Sequence, residues 1–140
     1  MADKSIEFLG SVPLFRGLSK NELREIQRAG SEVEFAAGHT IVAQGQQAKD
    51  FYLIASGAAR LVVRGVREAP LGPGDYFGEI SVIDGGPRSA TITAETRVTA
   101  LRLDRPAFLR LLDKHGSIGR KILYEMCGRL RAAEGEFVQH

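Results

Sequence analysis

Residues 72–94 read GPGDYFGEISVIDGGPRSATITA, and how their glycines are read decides the fold. Gly72, Gly74 and Gly78 have the spacing G-x-G-x-x-x-G, one residue longer than the dinucleotide-binding fingerprint. The stretch follows a β-rich region and lacks the strand–helix–strand context that fingerprint needs. No Lys-Ser or Lys-Thr pair follows the glycines, so a triphosphate-binding loop does not fit either. The stretch belongs to another kind of fold.

Outward from it, the texture from Val33 to Leu103 is that of short strands. The runs HTIVAQ (39–44), DFYLIAS (50–56), AARLVVRG (58–65), the stretch to Leu71, SATITAE (89–95) and RVTALRLD (97–104) are rich in Val, Ile, Thr and aromatics. Gly45, Ser56-Gly57, Gly65, residues 72–75 and residues 84–87 separate them. Leu61 and Val63 alternate with Arg60, Val62 and Arg64, which makes one strand face mostly apolar. Such spacing points to a β-sandwich or small barrel.

Both flanks have helical period. Ser19 is placed to cap KNELREIQRAG (20–30), with Glu22 completing a capping box, Leu23 and Ile26 on one face, and Gly30 as the stop. Upstream, Val12, Leu14, Phe15 and Leu18 cluster around Pro13 and Gly17 as a short irregular element. Asp104 is placed to cap RPAFLRLLDKHG (105–116), with Pro106 tolerated in the first turn. Gly116 breaks that helix, and Ser117 is expected to cap a longer one over residues 118–137. Ile118, Ile122, Met126, Leu130, Ala133 and Phe137 form its apolar stripe, read either as packing on the β core or as a surface for a ligand or second subunit. Cys127 is expected to pack beside that stripe as a small hydrophobe. The fold class expected is α+β in one domain.

The bulk composition agrees. A chain of 140 residues with 44% hydrophobic and 26% charged residues suits one ordinary globular domain. Its 19 Lys+Arg against 17 Asp+Glu leave +2, too small an excess for a nucleic-acid footprint. The single cysteine excludes an internal disulfide. No secretory leader pattern and no apolar run near the ~18 residues of a membrane span is visible. A cytoplasmic location is expected.

The chemistry of residues 77–94 follows from residue types. Gly78 permits a sharp turn into a single helical turn, whose leading amides favour an anion. Arg88 comes nine residues after Glu79, beyond a Gly-Gly-Pro reversal, and faces the same amides. A guanidinium on a phosphate forms charge-assisted hydrogen bonds worth about 1.5–3 kcal/mol each. Ser89 and the Ala90 N–H add neutral donors. A carboxylate, Glu79, beside a phosphate makes sense if the ligand also carries a hydroxyl donor such as a ribose 2′-OH. An anion plus a ribose hydroxyl implies a nucleotide, and the single arginine implies a low phosphate charge.

Phe77-Gly78-Glu79-Ile80-Ser81-Val82, five residues, then Arg88-Ser89-Ala90-Thr91-Ile92-Thr93-Ala94 resembles the phosphate-binding cassette of the cyclic-nucleotide-binding domain family. That family includes bacterial catabolite activator proteins, protein kinase A regulatory subunits and nucleotide-gated channels. Gly38 to Gly45, Asp50 to Ile54, Ser56-Gly57 and Pro73-Gly74-Asp75 resemble its early strands and the turn into the cassette. The resemblance implies an N-terminal helical part (1–32), an eight-stranded antiparallel β-roll (33–104) carrying the cassette (77–94), and two C-terminal helices (105–140).

It also implies roles. Gly78 and Glu79 would hold the ribose. Arg88 would bind the cyclic phosphate, helped by Ser89 and the backbone amides of Ile80 and Ala90. The Ser81 hydroxyl would face the ligand, and Leu61 would touch the base. Ser89 in place of a threonine favours cAMP over cGMP. Arg129 on the long helix is read either as reaching Glu79 or the phosphate or as an exposed arginine. The chain departs from the activators in stopping at His140 without a helix-turn-helix. It also has Ala133 and Glu134 where they carry base-binding hydroxyls. Glu134 is read either as an acceptor for an adenine amino group or as a solvated helix residue.

Other chemistries fit less well. His39, His115 and His140 fall in three regions without metal-ligand spacing, so no metal is expected. No nucleophile with a base and orienter stands near the cassette, so no enzyme is expected. The partners expected are a cyclic nucleotide and an effector protein or second subunit on the C-terminal helix, with no membrane and no nucleic acid bound by this chain alone. The rival readings are a nucleotide-free interaction module of the same fold and the ligand-binding fragment of a transcription regulator.

Overall fold

A computed structural model describes the backbone of residues 2–65 and 67–138, with side chains for residues 5–65 and 68–133. The chain opens with helix α1 (Ala2–Ser11), a 3-10 turn (Pro13–Phe15) and helix α2 (Lys20–Ala29). Ser19 caps α2 as its sequence predicts: its hydroxyl accepts the Glu22 N–H at 3.2 Å while the Glu22 carboxylate accepts the Ser19 N–H at 2.8 Å. The single N-terminal helix expected is thus two. Ile6 and Leu9 of α1 are buried against the same core as Leu23 and Ile26 of α2.

Eight strands follow: β1 (Ser31–Phe35), β2 (Thr40–Val42), β3 (Phe51–Ser56), β4 (Ala59–Val63), β5 (Arg67–Leu71), β6 (Tyr76–Phe77), β7 (Thr91–Ala94) and β8 (Val98–Leu103). Helix α3 (Glu79–Asp84) interrupts them between β6 and β7. They form two four-stranded antiparallel sheets, ordered β1-β8-β3-β6 and β2-β7-β4-β5. This is the expected α+β class with an eight-stranded antiparallel roll, although β1 begins at Ser31, before the expected boundary at residue 33.

Strand β3 shows why the sequence there is apolar without alternation. Phe51 and Leu53 pack into the helical core with Phe15, Ile26 and Phe108, whereas Tyr52 and Ile54 pack between the sheets with Phe77, Ile92 and Val98. A strand covered on both faces needs apolar residues on both. In β4 only one face is covered, and Leu61 pairs across to Ile92 of β7 and Ala69 of β5 on that face.

The chain closes with α4 (Arg105–Lys114) and α5 (Gly116–Val138). Asp104 caps α4 through the Ala107 N–H at 2.9 Å. Ser117 does not cap α5. The helix starts at Gly116 straight after His115, whose carbonyl accepts the Ile118 N–H at 3.0 Å. The apolar stripe of α5 also divides. Ile118 and Ile122 are fully buried and Met126 partly so, but Leu130 is 60% exposed. Cys127 is exposed rather than packed: nine residues beyond Ile118, at 3.6 residues per turn, it lies about 180° round the helix from the buried side. The side chains of Glu134, the candidate base contact, and Phe137, the expected end of the stripe, lie outside the described residues.

Candidate ligand site

The site is built on Gly78. Its φ of 91° is left-handed, and a Cβ there would stand 2.4 Å from the Asp50 carbonyl oxygen and 2.7 Å from Arg88 Nη1. Only glycine lets β6 turn this closely into α3. Gly85, at φ 73°, ends α3 about two turns later, its N–H on the Ser81 carbonyl. Arg105 Nε donates to the Val82 carbonyl at 2.8 Å, tying the short helix to α4.

Between α3 and β7 the chain is pinned on both sides of the arginine. The Ser81 hydroxyl donates to the Pro87 carbonyl at 3.2 Å. The Arg88 N–H donates to the Gln46 carbonyl, and the Arg88 carbonyl accepts from the Gly45 N–H, both at 2.8 Å. Backbone and loop thus fix where the Arg88 side chain starts. Its guanidinium carbon stands 6.0 Å from the centroid of the Tyr52 ring, within cation–π range.

Arg88 is only 3% exposed, and none of its three guanidinium nitrogens has a hydrogen-bond partner among the described residues. Burial pulls its pKa below the ordinary arginine value, against the opposing pull of Tyr52, Asp50 and Glu79. Glu79 is 5% exposed, with Oε2 unpartnered and Oε1 3.5 Å from Arg129 Nη2. Burial raises its carboxyl above the usual range, partly offset by its own backbone N–H and by Arg129. A buried charge without partners costs on the order of several kcal/mol, so such groups are normally completed by something.

Both residues face one cavity of about 610 Å³. The residues singled out from sequence, namely Leu61, Gly78, Glu79, Ile80, Ser81, Arg88, Ser89, Ala90 and Arg129, all line it. Leu61, Val63 and Ile92 give it an apolar side, and the cassette gives it a polar one. The Ser81 hydroxyl is already engaged with Pro87, which makes it a brace for the loop. Volume and mixed lining suit a ligand of nucleotide size.

Sequence reasoning missed two residues. The Tyr76 phenol donates to the Glu125 carboxylate, and Glu125 Oε2 is 3.9 Å from Arg129 Nη2. Burial, then the bond to Glu125, pushes the Tyr76 phenol above the ordinary tyrosine range. The only sequence signal was the i, i+4 spacing of Glu125 and Arg129 on one helix face. Among the described residues no group of three His, Cys, Asp or Glu side chains could hold a metal ion. No described helix is long and apolar enough to cross a membrane.

Known proteins share this fold. The family model of the cyclic nucleotide-binding domain matches residues 32–115. A cAMP-dependent protein kinase regulatory subunit of Aspergillus niger is 40% identical over 121 residues, covering 84% of the chain and 29% of the relative. A CRP-like cAMP-activated global transcriptional regulator of Mycobacterium tuberculosis is 31% identical over 134 residues, covering 89% of the chain and 58% of the relative. The crystal structure of the Thermus thermophilus catabolite activator protein superposes with a TM-score of 0.80 at 34% identity, over 89% of this chain and 61% of that one. The regulatory subunit of a cAMP-independent protein kinase A from Trypanosoma brucei gives 0.77 at 27% identity, over 89% and 44%. The chain therefore spans less than two thirds of each of these proteins. With a family model matched over more than half its length, the chain belongs to the cyclic nucleotide-binding domain family.

Proposed function

We propose that the chain is a cyclic-nucleotide sensor, with cAMP favoured over cGMP, that acts by closing α5 over the bound ligand. One observation carries the reading: Arg88 is buried with three unpartnered nitrogens on a cavity that also holds an unpartnered carboxylate oxygen of Glu79. A cyclic phosphate completes the first and a ribose 2′-OH the second. Ser89 and the amides of Ile80 and Ala90 add donors to the phosphate, and Gly78 lets the backbone approach. Leu61 and its apolar neighbours form the floor for the base. Arg129 steadies Glu79 from α5.

On this reading the site binds its ligand, and Glu79 and Ser89 act there as hydrogen-bonding partners. The output passes through α5 to an effector protein or a second subunit, for which its exposed residues Leu123 and Leu130 are available. The ligand must prefer the closed arrangement for any switching to follow.

The rival is a module of the same fold that binds no nucleotide, and family membership alone does not choose between them. The Trypanosoma brucei neighbour is described as belonging to a cAMP-independent kinase. Retention of both Glu79 and Arg88 favours the sensor. Calorimetric titration of the chain with cAMP and with cGMP decides: heat with both and tighter cAMP is expected. No heat with either nucleotide rejects the sensor, and tighter cGMP rejects the argument from Ser89.

A further inference from the structure

Helix α5 is held in two different ways along its length. Its first half is gripped by apolar packing, with Ile118 and Ile122 at 0% and 1% exposure. Met126 is partly buried, and beyond it the grip ends. At 1.5 Å per residue the helix runs on about 10 Å from Ile122 to Arg129. This is the stretch that borders the cavity, through Glu125 and Arg129.

What meets that stretch is polar. Tyr76 of β6, three residues before Glu79, donates its phenol proton to Glu125 across 49 residues of sequence. Glu125 in turn faces Arg129 at 3.9 Å, and Arg129 faces Glu79 at 3.5 Å. The Tyr76 ring has little freedom to follow a moving helix. Its centroid lies 5.7 Å from that of Phe51, whose ring stacks on Phe108 at 4.2 Å. A fixed ring thus presents a hydroxyl to the helix at the level of Met126, its last apolar contact with the core among the described residues.

We propose that Tyr76 and Glu125 form a strap that keeps α5 over the cavity, with Glu125 as the positioning residue that holds Arg129 on Glu79. The inference rests on the nucleotide reading above and extends it to kinetics. With the strap broken, α5 lifts, the cavity loses a wall and the nucleotide leaves faster. Capture depends on Arg88 and the cassette amides, which the strap does not touch. The strap therefore sets residence time, the quantity in which related complexes mostly differ.

Tyr76→Phe keeps the ring and its packing and removes only the hydroxyl. Stopped-flow measurement with a fluorescent cAMP analogue should show dissociation about tenfold faster, the scale of one charge-assisted hydrogen bond. Association should stay within about twofold. Glu125→Gln keeps an acceptor for the phenol but loses the charge facing Arg129, and its dissociation should fall between wild type and Glu125→Ala. Hydrogen exchange of amides 123–133, measured without nucleotide, should quicken in Tyr76→Phe. Dissociation and exchange unchanged from wild type in Tyr76→Phe and Glu125→Ala would overturn the strap, as would slowed association with normal dissociation. A wild type that binds no analogue overturns the nucleotide reading instead, and the exchange measurement still supports or overturns the strap.

Discussion

Glu79 and Arg88 are a buried acid and a buried base on the same cavity wall, and each keeps polar atoms that no group among the described residues satisfies. The protein tolerates this because the surrounding backbone over-determines both positions. The Gly78 turn, the capped α3 and the two backbone bonds of Arg88 fix where both side chains start. Stability has been given up locally for a preorganised arrangement.

The first consequence concerns stability without ligand. The buried Arg88 charge carries a desolvation cost on the order of several kcal/mol with no hydrogen bond to offset it, and an apolar side chain of similar length removes that cost. Arg88→Met should therefore unfold in urea at the wild-type midpoint or above it, in nucleotide-free buffer. A midpoint clearly below wild type would mean that the protein itself stabilises the Arg88 charge, against its unpartnered nitrogens.

Glu79 adds a pH dependence of known sign. Burial raises its pKa in the fold above the ordinary 4.5, so the folded state binds the proton more tightly than the unfolded state. Its contribution is fully favourable below the ordinary value and is lost as pH rises through the raised folded value. Glu79→Gln cannot ionise and escapes that loss. Denaturant titrations should show the variant gaining on wild type from about pH 4.5 upward, with the difference shrinking in acid. A gap that instead widened toward low pH would mean that the fold lowers the Glu79 pKa.

Gly78→Ala tests the turn. A methyl group would meet the Asp50 carbonyl at 2.4 Å and Arg88 Nη1 at 2.7 Å, in a backbone conformation at φ 91° that side chains disfavour. The expected cost is about 1–3 kcal/mol of folding stability from the strained backbone, with displacement of Arg88 in addition. Urea denaturation reads the first part and nucleotide affinity the second. Wild-type values for both would show that β6 can shift without consequence.

Much of this was legible in the chain because the cassette is local. Gly78, the short run Glu79 to Asp84, the Gly-Gly-Pro reversal and Arg88 lie within a few residues of one another, so turn chemistry alone brings them together. The Ser19 and Asp104 caps were legible for the same reason. Helix α1 was not, since Ile6 and Leu9 are too few to fix a helical period before α2 supplies their partner surface. Ser117 was misread because a hydroxyl beside a glycine looks like a cap, while the chain turns two residues sooner, at His115. Leu130 was misread because helical period says which face a residue shares but not where the core beneath it stops, and Cys127 because it lies on the side of α5 opposite Ile118. The bond from Tyr76 to Glu125 spans 49 residues and is created by tertiary packing alone.

The central claim is that Arg88 is the anchor for a cyclic phosphate, and calorimetric titration of Arg88→Ala with cAMP beside wild type tests it most directly. Loss of the anchoring charged hydrogen bonds should weaken binding by at least ~2 kcal/mol, or about 30-fold in Kd. Affinity retained in a folded Arg88→Ala protein would contradict the account.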